Sequence, residues 1–216
     1  MSIPANTIRK LYDLFPRVPD SIELLCFRNP ARNPRKILTR ILPSETKDIL
    51  DICAGSGASA MPIAASFPKA KLTCIDASEG MLGVFQKRLA RTELHNITLH
   101  KMSAEHLHLP DGAFDAALIS LVLHELSESD ITGILSEAKR VLRPTGKLYL
   151  TEWDPPEHGW YRKVKFRILQ MNEPPTFPGF IFQDLKPYME RHGFRVEREI
   201  KCDYSRILIC GKEHGE

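Results

Sequence analysis

The stretch Asp48-Ile-Leu-Asp-Ile-Cys-Ala-Gly-Ser-Gly-Ala-Ser-Ala60 constrains the fold of this chain more than any other. Ile49, Leu50 and Ile52 form a short apolar run of the kind buried on both faces of a parallel sheet. Gly55 and Gly57 follow at once, so the backbone can turn tightly and let a ligand approach. Met61, Ala64, Ala65 and Phe67 then recur at helical spacing. Strand, glycine turn and helix start bring free N–H groups and the positive end of a helix dipole to one place, where a negative group is attracted. The next apolar run, residues 72–75, ends in Asp76, at the interval where a dinucleotide-binding unit carries its ribose-binding acid.

Gly55-x-Gly57-x-x-Ala60 alone satisfies the dinucleotide pattern, and Asp51 discriminates. A carboxylate just before the glycines repels a pyrophosphate, whereas a ligand with an ammonium group and no phosphate tolerates or uses it. The order Asp51-x-Cys53-x-Gly55-x-Gly57 resembles the first motif of the class I S-adenosylmethionine-dependent methyltransferases. The resemblance continues through Asp76-Ala-Ser-Glu-Gly-Met81, Ser103-Ala104-Glu105, Phe114-Asp-Ala-Ala-Leu-Ile-Ser120 and Val141-Leu-Arg-Pro-Thr-Gly-Lys-Leu148. It covers residues 45–152, and the nearest branch is the small-molecule enzymes that include the quinone-biosynthesis C-methyltransferases. It implies a Rossmann-like α/β fold: a seven-stranded, mostly parallel sheet closed by a C-terminal antiparallel hairpin, with helices on both faces.

Bulk properties agree. A chain of 216 residues fits one domain with a substantial core. With 43% hydrophobic and 26% charged residues it is ordinary globular material. A formal charge of +3 is too small to imply nucleic acid. Five cysteines without paired spacing suit a reducing cytosol, and no metal site is expected. His106-x-His108 lacks further ligands. The most apolar run, residues 116–123, is too short for a membrane helix, and Arg9 and Lys10 precede no apolar segment of the secretory kind. The expectation is a cytoplasmic protein with a small-molecule substrate and neither nucleic-acid nor membrane partners; the oligomeric state is left open.

Alternating strand and helix patterns predict a parallel sheet. Residues 6–15 read as a helix through Ile8, Leu11, Tyr12 and Phe15. A second helix starts at Asn33 as N-cap with Pro34 at its first position and ends at Pro43. Strands are expected at 72–75, 97–100, 114–120 and 147–151. Ser78 caps a helix carrying Met81, Leu82, Phe85 and Leu89; Ser127 or Ser129 opens another that Pro144 and Gly146 stop. A helix with Leu185, Tyr188 and Met189 closes at Gly193, and strand-like runs at 195–200 and 205–210 are joined too tightly to be anything but antiparallel. Residues 153–182, rich in aromatics and prolines, read as irregular. The single domain divides into an N-terminal helical lid (1–44), a cofactor core (45–152), a lid insertion (153–183) and a C-terminal helix and hairpin (184–216).

Methyl transfer from a sulfonium is a displacement in which the protein supplies orientation and a dry, shaped pocket. By the resemblance, Asp76 accepts the ribose hydroxyls, Ala54, Gly55 and Gly57 bring the turn to the methionine portion, and Asp51 meets the ammonium group. Met81 and Ala77 pack on the adenine. Ser103 and Ala104 stand where the family often has an acid followed by alanine, so here a hydroxyl replaces the usual carboxylate. Ser120 offers its carbonyl to the ammonium, and Tyr12 closes over the cofactor. Cys53 reads as a small buried thiol. His124 is a candidate general base for a phenol, enol or thiol acceptor, and the commoner reading of it is a pocket-lining or capping histidine. The resulting expectation is a methyltransferase acting on a small, partly apolar molecule. Two rivals stay open: a non-catalytic cofactor-binding scaffold and a nicotinamide-dependent oxidoreductase.

Overall fold

The computed structural model describes Asp13, Phe27 and residues 29–156, 158–170 and 177–213. The expected helix over residues 6–15, with Tyr12, lies outside these apart from Asp13. Helix α1 (Pro34–Ile41) begins as expected: the Asn33 side chain accepts a hydrogen bond from the Arg35 N–H, and Pro34, which has no N–H to satisfy, occupies the first helical position. Strand β1 (Asp48–Ile52) follows, then α2 (Ala60–Ser66), β2 (Lys71–Asp76), α3 (Glu79–Leu89), β3 (Ile97–Lys101) and β4 (Phe114–Ser120). A 3-10 turn (Leu123–Glu125) leads into α4 (Glu128–Val141), capped by Ser127, and β5 (Leu142–Trp153). Helices α5 (Trp160–Gln170), α6 (Phe177–Ile181) and α7 (Leu185–Arg191) precede the hairpin β6 (Phe194–Lys201) and β7 (Ser205–Lys212).

The seven strands lie in the order β3-β2-β1-β4-β5-β7-β6. All pairings from β3 to β5 are parallel, and β7 runs antiparallel to both β5 and β6. Strand order reverses direction between β1 and β4, so a crevice opens at their carboxyl ends, where open α/β sheets receive ligands. Side chains alternate between two packed layers. Leu50, Ile52, Ala117, Ile119, Leu148 and Leu150 face α4, α6 and α7, while Ile49, Leu72, Cys74, Ala116 and Leu118 face α1, α2 and α3. At the opposite end of the sheet, Arg143 pairs with both Asp48 and Asp115, tying together the starts of β1, β4 and β5.

Three expectations are corrected. Of the expected stripe on α2, Ala64 is buried and Met61 and Phe67 pack against the core, but Ala65 is exposed and Ala60 and Ile63 join the buried face instead, as α2 packs on α1 and β2. Strand β5 is longer than residues 147–151 and takes in Pro144 and Gly146. Its pairing with β4 shifts register between Phe114 and Ala116, and this irregularity accommodates a proline that has no N–H for the ladder. The stretch 153–182 is not irregular throughout. It holds α5 and α6, and Trp153 is the buried end of β5, stacked on Phe27 with ring centroids 5.5 Å apart.

Gly57 has φ +79°, and a Cβ there would lie 2.2 Å from the Phe85 ring, so this position tolerates no side chain. Gly57→Ala is expected to destabilise the fold by about 2–4 kcal/mol through left-handed strain and overpacking. Denaturant unfolding measures this, and Phe85→Leu in the same chain should recover part of the loss.

Candidate active site

The β1–α2 turn is built from left-handed residues. Cys53 has φ +56°, Gly55 +55° and Gly57 +79°. The turn is nevertheless pinned at three points. The Ala54 N–H donates to the Ile75 carbonyl at 2.9 Å, the Arg88 guanidinium donates to Ser56 Oγ at 2.8 Å, and the Gly55 N–H donates to Asp76 Oδ2 at 2.8 Å. Asp76 Oδ1 accepts from the Ser78 N–H, also at 2.8 Å. One carboxylate at the end of β2 therefore ties its own turn to that of β1. Ser78 Oγ, in turn, caps α3 at the Met81 N–H and donates to Asp13. At the end of β4, Leu121 has φ +55°, and its N–H donates to the Thr151 carbonyl. Two left-handed non-glycine residues, Cys53 and Leu121, thus stand at the carboxyl ends of the two strands that flank the crevice, and strain of this kind clusters at ligand sites.

The crevice holds a cavity of about 180 Å³. Asp51, Ala54 and Gly55 line it from β1 and its turn; Asp76, Ala77 and Met81 line it from β2 and α3. Ser103, Ala104 and Ser120 complete the set of expected residues that meet there. Gly57 stands behind the turn against Phe85 and does not line the cavity. His124 does not line it either. It is 1% exposed, its Nδ1 is hydrogen-bonded to Glu152 Oε2 at 2.7 Å, and its ring stands edge-on to Phe177. This corrects His124 as a base facing the acceptor: packing turns it into the interior, where its Nε2 lies 3.8 Å from Glu125 Oε1.

Sequence reasoning missed several lining residues. Phe27 and Arg35 come from the N-terminal side, Leu121, Val122 and Glu125 from the segment after β4, and Thr151 from β5. Thr151 carries no local motif, and only strand register brings it beside Ser120.

The cavity is acidic. Asp51 is 1% exposed, and its Oδ2 has no hydrogen-bond partner. Burial, and then the neighbouring Asp76 charge, push its pKa up to about 7, against a smaller opposing effect of Arg35. Burial also raises the Asp76 carboxyl, against the N–H bonds from Ser78 and Gly55. Burial and the surrounding acids, Asp76 first, hold the Cys53 thiol neutral. Thr151 Oγ1 is a second buried polar atom without a partner on the cavity wall. Buried groups of this kind are normally satisfied, so both point to a missing polar ligand. A ligand bearing an ammonium group and hydroxyls fits them, and a polyanion does not.

The raised pKa of Asp51 makes a stability prediction. Below pH 4 the carboxyl is protonated in both folded and unfolded chains and has no effect. Between pH 4 and 7 the unfolded chain releases the proton first, so stability falls as pH rises, by about 4 kcal/mol once pH exceeds 7. In the ligand-free protein, Asp51→Asn should therefore raise Tm at pH 8 and do so progressively less toward pH 4, as read by scanning calorimetry.

Comparison with known proteins bears on this geometry. Residues 49–146 match the model of a methyltransferase domain. The ubiquinone/menaquinone biosynthesis C-methyltransferase of Syntrophotalea carbinolica is 31% identical over 171 residues, which span 77% of this chain and 71% of that protein. A demethylmenaquinone methyltransferase of Listeria monocytogenes is 26% identical over 185 residues, 83% of this chain and 76% of that one. Among solved structures, a methyltransferase from Aquifex aeolicus superposes with a TM-score of 0.66 at 24% identity, over 89% of this chain and 97% of that one. The [4+2]-cyclase SpnF superposes at 0.70 and 17% identity over 100% and 98%, so the fold alone does not name a reaction. Sequence relationship, ordered motifs and an acidic crevice with unsatisfied polar atoms converge: the chain belongs to the class I S-adenosylmethionine-dependent methyltransferases.

Proposed function

We propose that this methyltransferase acts on a small, largely apolar acceptor of the quinone or phenol type, and that Asp51 and Asp76 are the two poles of its cofactor site. The orphaned Oδ2 of Asp51 is the observation that carries this reading. S-adenosylmethionine supplies an activated methyl group on a sulfonium sulfur. Asp51 pairs with its ammonium group, which returns to the buried carboxylate the partner it lacks. Asp76 already accepts two N–H bonds, and a carboxylate has room for two more donors, so it takes the ribose hydroxyls. Met81 and Ala77 flank the adenine, Ser103 and Ala104 bound its edge, and the Ser120 carbonyl supports the ammonium.

On the acceptor side, Phe27, Leu121, Val122 and Leu126 give the cavity apolar walls that exclude water and align an aromatic ring. The resemblance to quinone-modifying relatives supports an acceptor of that class. Glu125 and Arg35 are ionisable side chains on that wall, and the buried His124–Glu152 pair stands behind Glu125. The N-terminal segment and the α5–α6 region serve as the lid; Asp13, which accepts from Ser78 Oγ and the Gly80 N–H at the cavity rim, supports the first half of this assignment, and Tyr12 adjoins it in sequence. Among the described residues no helix is long and apolar enough to cross a membrane, and the enzyme is proposed to work in the cytoplasm.

Calorimetry tests the site. Asp76→Ala should weaken S-adenosylmethionine binding by about a hundredfold, the order expected when a buried carboxylate's two hydrogen bonds to a ligand are lost. Undiminished binding in that variant overturns the placement. Turnover is read as S-adenosylhomocysteine release with hydroquinone and phenol acceptors; cofactor binding without turnover on any of them overturns the acceptor class.

Asp51 must be ionised to meet an ammonium group, so affinity should rise about tenfold per pH unit up to pH 7 and level off above it. Asp51→Asn should bind more weakly at pH 8 and lose that slope.

A further inference from the structure

Helix α5 presents an outward face that no other described residue covers. Trp160 is 79% exposed, Tyr161 65% and Val164 49%, while Phe166 on the opposite side is buried against Phe177 and Tyr204. The helix carries four cations, Arg162, Lys163, Lys165 and Arg167, and no acid. At 100° per residue, Trp160 and Val164 form the centre of the exposed face. Lys163 and Arg167 lie along one flank, and Tyr161 with Lys165 along the other. Large aromatics flanked by long cationic side chains are the pattern of a helix lying in a bilayer interface, with rings at headgroup depth and cations reaching the phosphates.

A second feature adjoins the start of this helix. A cavity of about 240 Å³ is lined by Arg32, His158, Arg162 and Lys201, with Asp154 and Asp203 on the same wall. Arg162 donates through Nη2 to the Asp203 side chain, yet its Nε is buried without a hydrogen-bond partner. This pocket lies on the inner, Phe166 side of α5, so the outward face carries Lys163 and Arg167 as its cations.

We propose that α5 docks the enzyme on an anionic lipid surface, with Trp160 and Tyr161 entering the interface and Lys163 and Arg167 meeting its phosphates. Charge decides among the occupants. Arg162 pairs with Asp203 and Lys165 lies over the Tyr204 ring, which leaves Lys163 and Arg167 beside the aromatic face. A second copy of the chain would set these two cations against their own counterparts, whereas a phosphate-bearing bilayer complements them. Such docking would bring an enzyme with an apolar acceptor cavity to the phase where apolar acceptors concentrate. It rests on α5 and its neighbours, and because that region is also proposed as part of the lid, it is read by vesicle partitioning and not by turnover.

The chain has two tryptophans, and Trp153 is buried. Vesicle-induced changes in emission therefore report chiefly on Trp160. Vesicles of phosphatidylcholine with about one third phosphatidylglycerol should shift the emission to the blue and protect it from acrylamide, while pure phosphatidylcholine should do neither. Lys163→Glu with Arg167→Glu should lower partitioning by roughly thirtyfold or more, on the scale of the attraction of single cations to anionic headgroups. Trp160→Ser should abolish the spectral change and weaken partitioning. Both variants should keep the parent's far-UV circular dichroism and its cooperative thermal transition, which shows that they are folded. The proposal is overturned by absence of partitioning at low salt, by equal binding to neutral vesicles, or by charge reversal without effect. Binding of glycerol 3-phosphate without vesicle binding overturns it in favour of a soluble phosphate. Trp160 protection that depends only on protein concentration overturns it in favour of self-association.

Discussion

One carboxylate coordinates the two turns on which the site depends. Asp76 accepts the Gly55 N–H from the β1 turn and the Ser78 N–H from its own, both at 2.8 Å, in a setting where burial makes each of these charge-assisted bonds strong. Without that tie, three left-handed residues in a row of five would have little to hold them against relaxation. With it, the turn stays open toward the crevice, the Ala54 N–H continues the ladder to Ile75, and α3 begins where its cap at Ser78 places it. In the proposed cofactor site the same carboxylate would also accept a ligand's hydroxyls, so local architecture and recognition would share one side chain.

Asp51 stands in a different balance. Nothing in the fold satisfies its second oxygen, and burial carries its pKa to about 7. A core optimised for stability would place an amide or an apolar residue there. Keeping a carboxylate costs stability at neutral pH, and under the proposed function that cost is offset by an electrostatic contact to a cationic ligand. The opposing effect of Arg35, from the element preceding β1, moderates this without neutralising it. Stability forgone at the site is thus convertible into affinity, and only the bound state recovers it.

Much of this was legible beforehand because local rules and tertiary demands coincide. The glycines at 55 and 57, the caps at Asn33, Ser78 and Ser127, and the apolar runs of β1 and β4 each have one cheap conformation, and the fold uses it. Asp51, Asp76, Met81, Ser103 and Ser120 end on one cavity because each stands at the carboxyl end of a strand or just beyond it, and parallel pairing aligns those ends. His124 is the converse case. Its position after β4 brings it near the crevice, but the direction of its ring is set by Glu152, twenty-eight residues away in sequence, and by Phe177 farther still.

The amino-acid order alone thus determined the alternation of strands and helices, the glycine turn and the acids beside it, because these rest on backbone preference and short-range periodicity. Tertiary structure alone decided that Thr151, Glu125 and Arg35 share the cavity, that Trp153 is buried while Trp160 faces outward, and that His124 turns inward. Those outcomes depend on strand register and on packing between segments far apart in the chain, which no local pattern encodes.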